Sequence, residues 1–69
     1  MNDYQFDLFV EVFKLEMKKN ATTKEQSDEI DRRIDIASHK TKFAIAAIEG
    51  DLQKAFMELG IAKYIQRNY

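Results

Sequence analysis

From Lys24 to Glu49 the chain runs without a proline or a glycine, and this stretch constrains the fold more than any other. Proline is absent throughout, and the only two glycines are Gly50 and Gly60. With so few residues that break helices, the chain favours long helices joined by short turns. Thr22 with Glu25, or Thr23 with Gln26 one residue on, matches the capping box that opens a helix, and Gly50 supplies the stop. Ile30, Ile34, Ala37, Thr41, Ala44, Ile45 and Ile48 fall on one helical stripe, which predicts a central helix over about 24–49 packing through that face. Asp28 with Arg32 and Glu29 with Arg33 add favourably oriented i, i+4 pairs. A thinner stripe of Ile36, Phe43 and Ala47 lies on the other side and reads as a seam against another helix.

The flanking segments also read as helices. Asn2 or Asp3 caps a first helix over about 3–18, with Gln5 three residues after Asn2, and Asn20 serves as a left-handed stop. Phe6, Phe9, Val10, Phe13 and Met17 form its expected core stripe. Tyr4, Leu8, Val12 and Leu15 form a second stripe beside it, and the face of Asp7, Glu11, Lys14 and Lys18 is narrow. A helix that is apolar over more than half its circumference has two sides to bury. After Gly50, Asp51 caps a third helix over about 52–59 whose core face is Leu52, Ala55, Phe56 and Leu59. Extended past Gly60, that face meets Lys63 and Gln66, so Gly60 is expected to end the helix and a short fourth one to run over about 62–68.

The expected fold class is therefore all-α: a small helical bundle or hairpin in a single domain, residues 1–69. A chain of this size buries only about 60% of its unfolded surface and needs a supplement. It has no cysteine and a single histidine, His39, so neither disulfides nor a structural zinc site is expected. Association is the remaining supplement. At 1.5 Å per residue the central helix spans about 40 Å and the first about 24 Å, so one chain cannot cover it. A two-fold homodimer, with the first helix of one copy covering the other copy, resolves the mismatch. The residues expected at the protein interface are Leu8, Val12, Leu15, Ile36, Phe43 and Ala47.

Little points to catalysis. Asp31, Asp35 and His39 share a face at i, i+4, i+8, with Asp35 in reach of His39, but such a row is ordinarily a solvated polar face. Two ligands are too few for zinc, no glycine-rich phosphate loop occurs, and no serine has a base and an orienting acid nearby in sequence. No enzyme, metal or cofactor is expected. The run His39 to Lys42 is weakly basic, yet Thr41 belongs to the core stripe and Lys40 and Lys42 diverge, so it reads as plain helix surface. The net charge of −1 gives no global attraction to nucleic acid or membrane. Residues 1–35 nonetheless carry nine acids against six bases, and residues 36–69 three against five. The N-terminus is acidic and the longest apolar run, Phe43 to Ile48, is six residues, so neither a leader nor a membrane span is expected and the cytoplasm is the expected location.

One run carries a resemblance. Gly50-Asp51-Leu52-Gln53-Lys54-Ala55-Phe56-Met57-Glu58-Leu59-Gly60-Ile61 resembles the first part of the helix-turn-helix in Fis-type DNA-binding proteins, in which a long helix ends at a glycine and a Leu-Gly-Ile-like step leads into the recognition helix. The resemblance implies DNA binding through residues 51–69, with Lys63 and Arg67 as the contacting bases. The chain departs from that pattern in offering only these two bases and in placing Gln66 where an apolar residue is expected. The leading expectation is a non-enzymatic interaction protein (a small regulator, adaptor or inhibitor) that works as a homodimer and engages a heterologous protein partner.

Overall fold

The computed structural model describes residues 2–68 and is all-helical over them, in the order α1 (Asp3–Lys18), α2 (Lys24–Ile48) and α3 (Leu52–Arg67). The chain divides into two compact units, residues 1–34 and 35–69, so α2 contributes its first part to one unit and the rest to the other. Each unit is a pair of helical segments joined by a short connection.

In unit 1, α1 opens on a complete capping box. Asn2 Oδ1 accepts from the Gln5 backbone N–H at 2.8 Å, and the Gln5 side chain accepts from the Asn2 N–H at 3.2 Å. The helix closes through Lys19, whose N–H reaches the Glu16 carbonyl, followed by Ala21 N–H on the Lys18 carbonyl. Asn20 is not the left-handed stop expected of it: no residue other than glycine has positive φ among the described residues. The turn tightens instead of reversing hand. At the start of α2 the second of the two capping alternatives forms. Thr23 Oγ1 accepts from Gln26 N–H, and the Gln26 side chain reaches back to Thr22 N–H at 2.8 Å. Lys18 Nζ stands 2.6 Å from Asp31 Oδ2, tying the end of α1 to the second turn of α2.

In unit 2, α2 ends at a glycine as expected. Gly50 has φ of 81°, with Gly50 N–H on the Ala47 carbonyl and Asp51 N–H on the Ala46 carbonyl, the paired bonds of a Schellman ending. Asp51 then caps α3 through the Lys54 N–H. The stop expected at Gly60 is absent. A single helix runs from Leu52 to Arg67, so there are three helices among the described residues instead of four. The reason lies in which side of α3 is buried. Ala55, Glu58 and Ala62 are buried and Ile65 half-buried, a line that crosses Gly60 without changing sides. Leu52 and Phe56, expected inside, are exposed. The turn of a helix-turn-helix is thus not formed at Gly60, and Tyr69, the last position of the segment expected to carry it, lies outside the described residues.

The other expected stripes divide likewise: Phe6 and Val10 on α1 and Ile30 and Ile34 on α2 lie inward as expected, and most of the other members do not. On α1 the buried line is Phe6, Val10, Lys14 and Lys18, with only Val10 fully buried; Phe9, Phe13 and Met17 are exposed. The lysines lie on the inner side because their aliphatic stems cover apolar surface while the ammonium ends find carboxylates. On α2 within unit 2, Ala46 is buried and Ile36, His39 and Phe43 are half-buried, whereas Ala37, Thr41, Ala44, Ile45 and Ile48 of the expected core stripe are exposed. Small side chains permit close approach of helix backbones, and among the described residues the fully buried apolar ones are Val10, Ala46, Ala55 and Ala62, with Phe6, Ile30, Ile34, Ile36, Phe43, Leu59, Ile61 and Ile65 half-buried around them.

Candidate interaction surfaces

Two kinds of feature distinguish this molecule: polar pairs on the inner sides of the helices and apolar side chains on the outer ones. Among the described residues the most buried polar one is Glu58, at 5% exposure between Ala55 and Ala62. Its Oε2 lies 2.7 Å from His39 Nδ1, so the imidazole of α2 meets the carboxylate of α3 inside unit 2. With the carboxylate accepting, Nδ1–H donates. The row Asp31, Asp35, His39 is dispersed accordingly. Asp31 pairs with Lys18 and His39 with Glu58, which nothing in a wheel of α2 alone discloses. Among the described residues no three of His, Cys, Asp and Glu are grouped to hold a metal ion.

On the polar side of α2 in unit 1, Glu29 accepts from Arg33 Nε at 2.8 Å and from an Arg32 terminal nitrogen at 3.2 Å. The hydrogen bond from Arg33 leads the causes that hold the Glu29 carboxyl below its ordinary range, with both guanidinium charges adding to it against some desolvation. The expected Glu29–Arg33 pair is present, whereas Arg32 turns to Glu29 at i, i+3. Glu29, Ile30 and Arg33 line an open depression together with Asn20, Ala21, Glu25 and Gln26.

The outer surfaces carry large apolar side chains among their charged ones. On α1, Tyr4, Leu8, Val12 and Leu15 are 71, 49, 65 and 67% exposed, and they follow one another at i, i+4, i+8 and i+11 along one side of the helix. Beside them Phe9 and Phe13 stack on each other with centroids 6.2 Å apart and rings 13° from parallel. On unit 2, Ile45 and Ile48 of α2 and Leu52, Phe56, Met57 and Tyr64 of α3 are likewise exposed, Ile48 most of all at 86%. Of the residues expected at an interface, then, Leu8, Val12 and Leu15 stand on an open apolar stripe. Ala47 is exposed, while Ile36 and Phe43 are half-buried in unit 2. Lys63 and Arg67 are exposed on the last turns of α3, where they flank a shallow depression with Gln66. No helix among the described residues is long and apolar enough to cross a membrane.

No protein-family model matches the chain, and no curated protein or solved structure does either.

Proposed function

We propose that the protein is a non-enzymatic helical interaction module that acts as a homodimer, its own association surface being the outer apolar stripe of α1. The observation that carries this reading is the distribution of apolar side chains. Among the described residues thirteen large hydrophobic ones are exposed, while the fully buried apolar set is one valine and three alanines. Single exposed hydrophobics are ordinary on a protein surface, but a contiguous row such as Tyr4, Leu8, Val12 and Leu15 is the signature of an interaction site. A helical chain this short, with few fully buried apolar residues and its larger inner ones only half-buried, gains little from its own core, and a second copy supplies further burial.

Regulator, adaptor or inhibitor are the roles open to such a module in the cytoplasm, with a heterologous protein on any surface the dimer leaves open. Association is preferred over DNA binding through Lys63 and Arg67, because α3 lacks the turn at Gly60 that would set a recognition helix apart. Sedimentation equilibrium of the full chain tests the reading: a dimer mass is expected, with Val12→Glu shifting it to monomer while the helical circular dichroism persists. A monomer mass for the unaltered chain at concentrations of about 100 μM, corresponding to binding weaker than roughly 5 kcal/mol, removes it.

A further inference from the structure

Gly60 is the glycine that the chain itself does not explain. Gly50 needs its positive φ, whereas Gly60 lies inside α3, exposed, with no atom of the described residues within 4 Å of where a Cβ would stand. Glycine inside a helix is less favourable than alanine, and it is used where another backbone or a ligand must come close. Opposite the buried line of Ala55, Glu58 and Ala62, the midline of the outer face runs through Gln53, Gly60 and Arg67 at seven-residue steps. Phe56 and Lys63 stand to one side of that line and Met57 and Tyr64 to the other, all four exposed and each about one turn from Gly60. Two ridges thus flank a notch whose floor is bare backbone. We infer that this face of α3 is a docking site for an acidic amphipathic helix of another protein, which seats one large apolar side chain over Gly60 and sets carboxylates against Lys63 and Arg67. The inference rests on the reading of the chain as an interaction module and not on the α1 dimer, and it involves residues of unit 2 alone.

Shape and charge select this occupant. A small residue at the point of crossing lets helix axes approach to about 8 Å instead of about 10 Å, and a side chain of the partner drops into the hole between the turns before and after it. Phe56, Met57 and Tyr64 wall that hole with aromatic and adaptable surface. The charge shown to a partner has one sign. Of the charged residues of α3, Lys63 and Arg67 are exposed, Lys54 is half-buried, and the single acid, Glu58, is buried against His39. A second α3 would therefore set bases against bases. A lipid surface fits less well, because Gln53 and Arg67 lie on the line that would sink deepest. Duplex DNA would meet the exposed Phe56, Met57 and Tyr64 with two bases only, few for phosphate binding. Carboxylates beside an apolar row answer both features, and a basic partner is turned away by like-charge repulsion.

The test uses the full chain and a fluorescent synthetic helix of about 18 residues, with leucine at i, i+4, i+7 and i+11 and glutamate along both flanks, beside the same peptide with lysine for glutamate. At about 50 mM salt, anisotropy should show the glutamate peptide binding about tenfold more tightly than the lysine one. Gly60→Leu, which the open space around Gly60 accommodates, should keep the helical circular dichroism and weaken that binding about tenfold. Lys63→Glu with Arg67→Glu should reverse the preference between the two peptides. Equal binding of both peptides, binding of neither, or a Gly60→Leu chain that binds as well as the unaltered one overturns the inference. Tighter binding to phosphatidylglycerol vesicles or to duplex DNA than to the glutamate peptide also overturns it. So does growth of the unmixed chain past the dimer mass that Gly60→Leu suppresses, which makes a further copy the occupant. Sedimentation keeps the two readings apart: a monomer that still binds the glutamate peptide removes the dimer alone, and a dimer that does not bind it removes this site alone.

Discussion

His39 Nδ1 of α2 and Glu58 Oε2 of α3 stand 2.7 Å apart, and this contact bridges the two helices of unit 2 at the level where Ala55 and Ala62 bury the backbone. Removing the imidazole leaves a carboxylate that is 7% exposed at its side chain without the donor that satisfies it. His39→Ala should therefore destabilise the chain by about 1–3 kcal/mol, measured by urea unfolding at fixed protein concentration. Replacing both residues by leucine should cost less than the two single replacements together, since the pair also carries its own desolvation. Additive losses would mean that the contact contributes nothing as a pair.

Gly50 and Gly60 should respond oppositely to alanine. Gly50 sits at φ of 81° in the Schellman ending, where a Cβ is strained even though no atom lies within 4 Å of it, so Gly50→Ala should cost about 1 kcal/mol or more. Gly60 lies inside α3 with open space around its absent Cβ, so Gly60→Ala should stabilise by about 0.5–1 kcal/mol. A loss of stability at Gly60 of the size seen at Gly50 would restore the break between two short helices.

These two glycines also mark the boundary of what the amino-acid order discloses. Helix starts and the Gly50 stop were legible because capping is local: Asn2 with Gln5, Thr23 with Gln26 and Asp51 with the Lys54 N–H each involve residues three apart. Which face turns inward was legible only in part: Phe6, Val10, Ile30, Ile34, Ala55 and Leu59 of the expected core stripes are buried or half-buried. Every helix offers two candidate stripes, and choosing the one with the larger side chains selects Phe9, Phe13, Leu52 and Phe56, all of them exposed. Close helix approach instead favours Ala46, Ala55 and Ala62, whose value depends on what faces them across the hairpin. The false stop at Gly60 follows from the same choice, since the stripe changes sides only if Phe56 is inside. Glu58 was missed for the same reason, although an acid placed between Ala55 and Ala62 on the small-residue face was a usable signal for a buried partner to the only histidine.

The alanine face gives a direct check. Ala62 is 0% exposed, and leucine there must push α3 away from whatever covers it, so Ala62→Leu should destabilise by about 1–3 kcal/mol. Phe56, at 69% exposure on the outer side, should tolerate alanine within about 0.5 kcal/mol. If Phe56→Ala proves the more damaging of the two in thermal unfolding, the helix is turned the other way.

Glu29 offers a test by titration. Its carboxyl is held below its ordinary range chiefly by the Arg33 hydrogen bond, so its folded-state pKa is depressed relative to the unfolded chain. The sign follows: the contribution to stability is present above the unfolded pKa and is lost as pH falls through the folded one. Carboxyl-detected NMR should place the Glu29 midpoint below those of exposed glutamates, and Arg33→Gln should move it upward. An unchanged midpoint in Arg33→Gln would show that the pair does not persist in solution.

The last expectation joins stability to association. Among the described residues one valine and three alanines are the fully buried apolar set, and much apolar surface lies outside, on Tyr4, Leu8, Val12 and Leu15 of α1 and on Ile45 and Ile48 of α2. If burial of that surface between copies adds to the stability of a chain that already folds, folding and dimerisation are linked, and the melting temperature depends on protein concentration. Each tenfold increase in concentration adds about 1.4 kcal/mol per dimer, which should raise the melting point by roughly 3–6 °C for a chain of this size. Val12→Glu, placed where the side chain is 65% exposed, should abolish that dependence and lower the melting point at high concentration, with little effect at the dilute limit. A melting point that stays constant over a hundredfold range of concentration would mean that each chain folds alone and leaves these stripes to solvent.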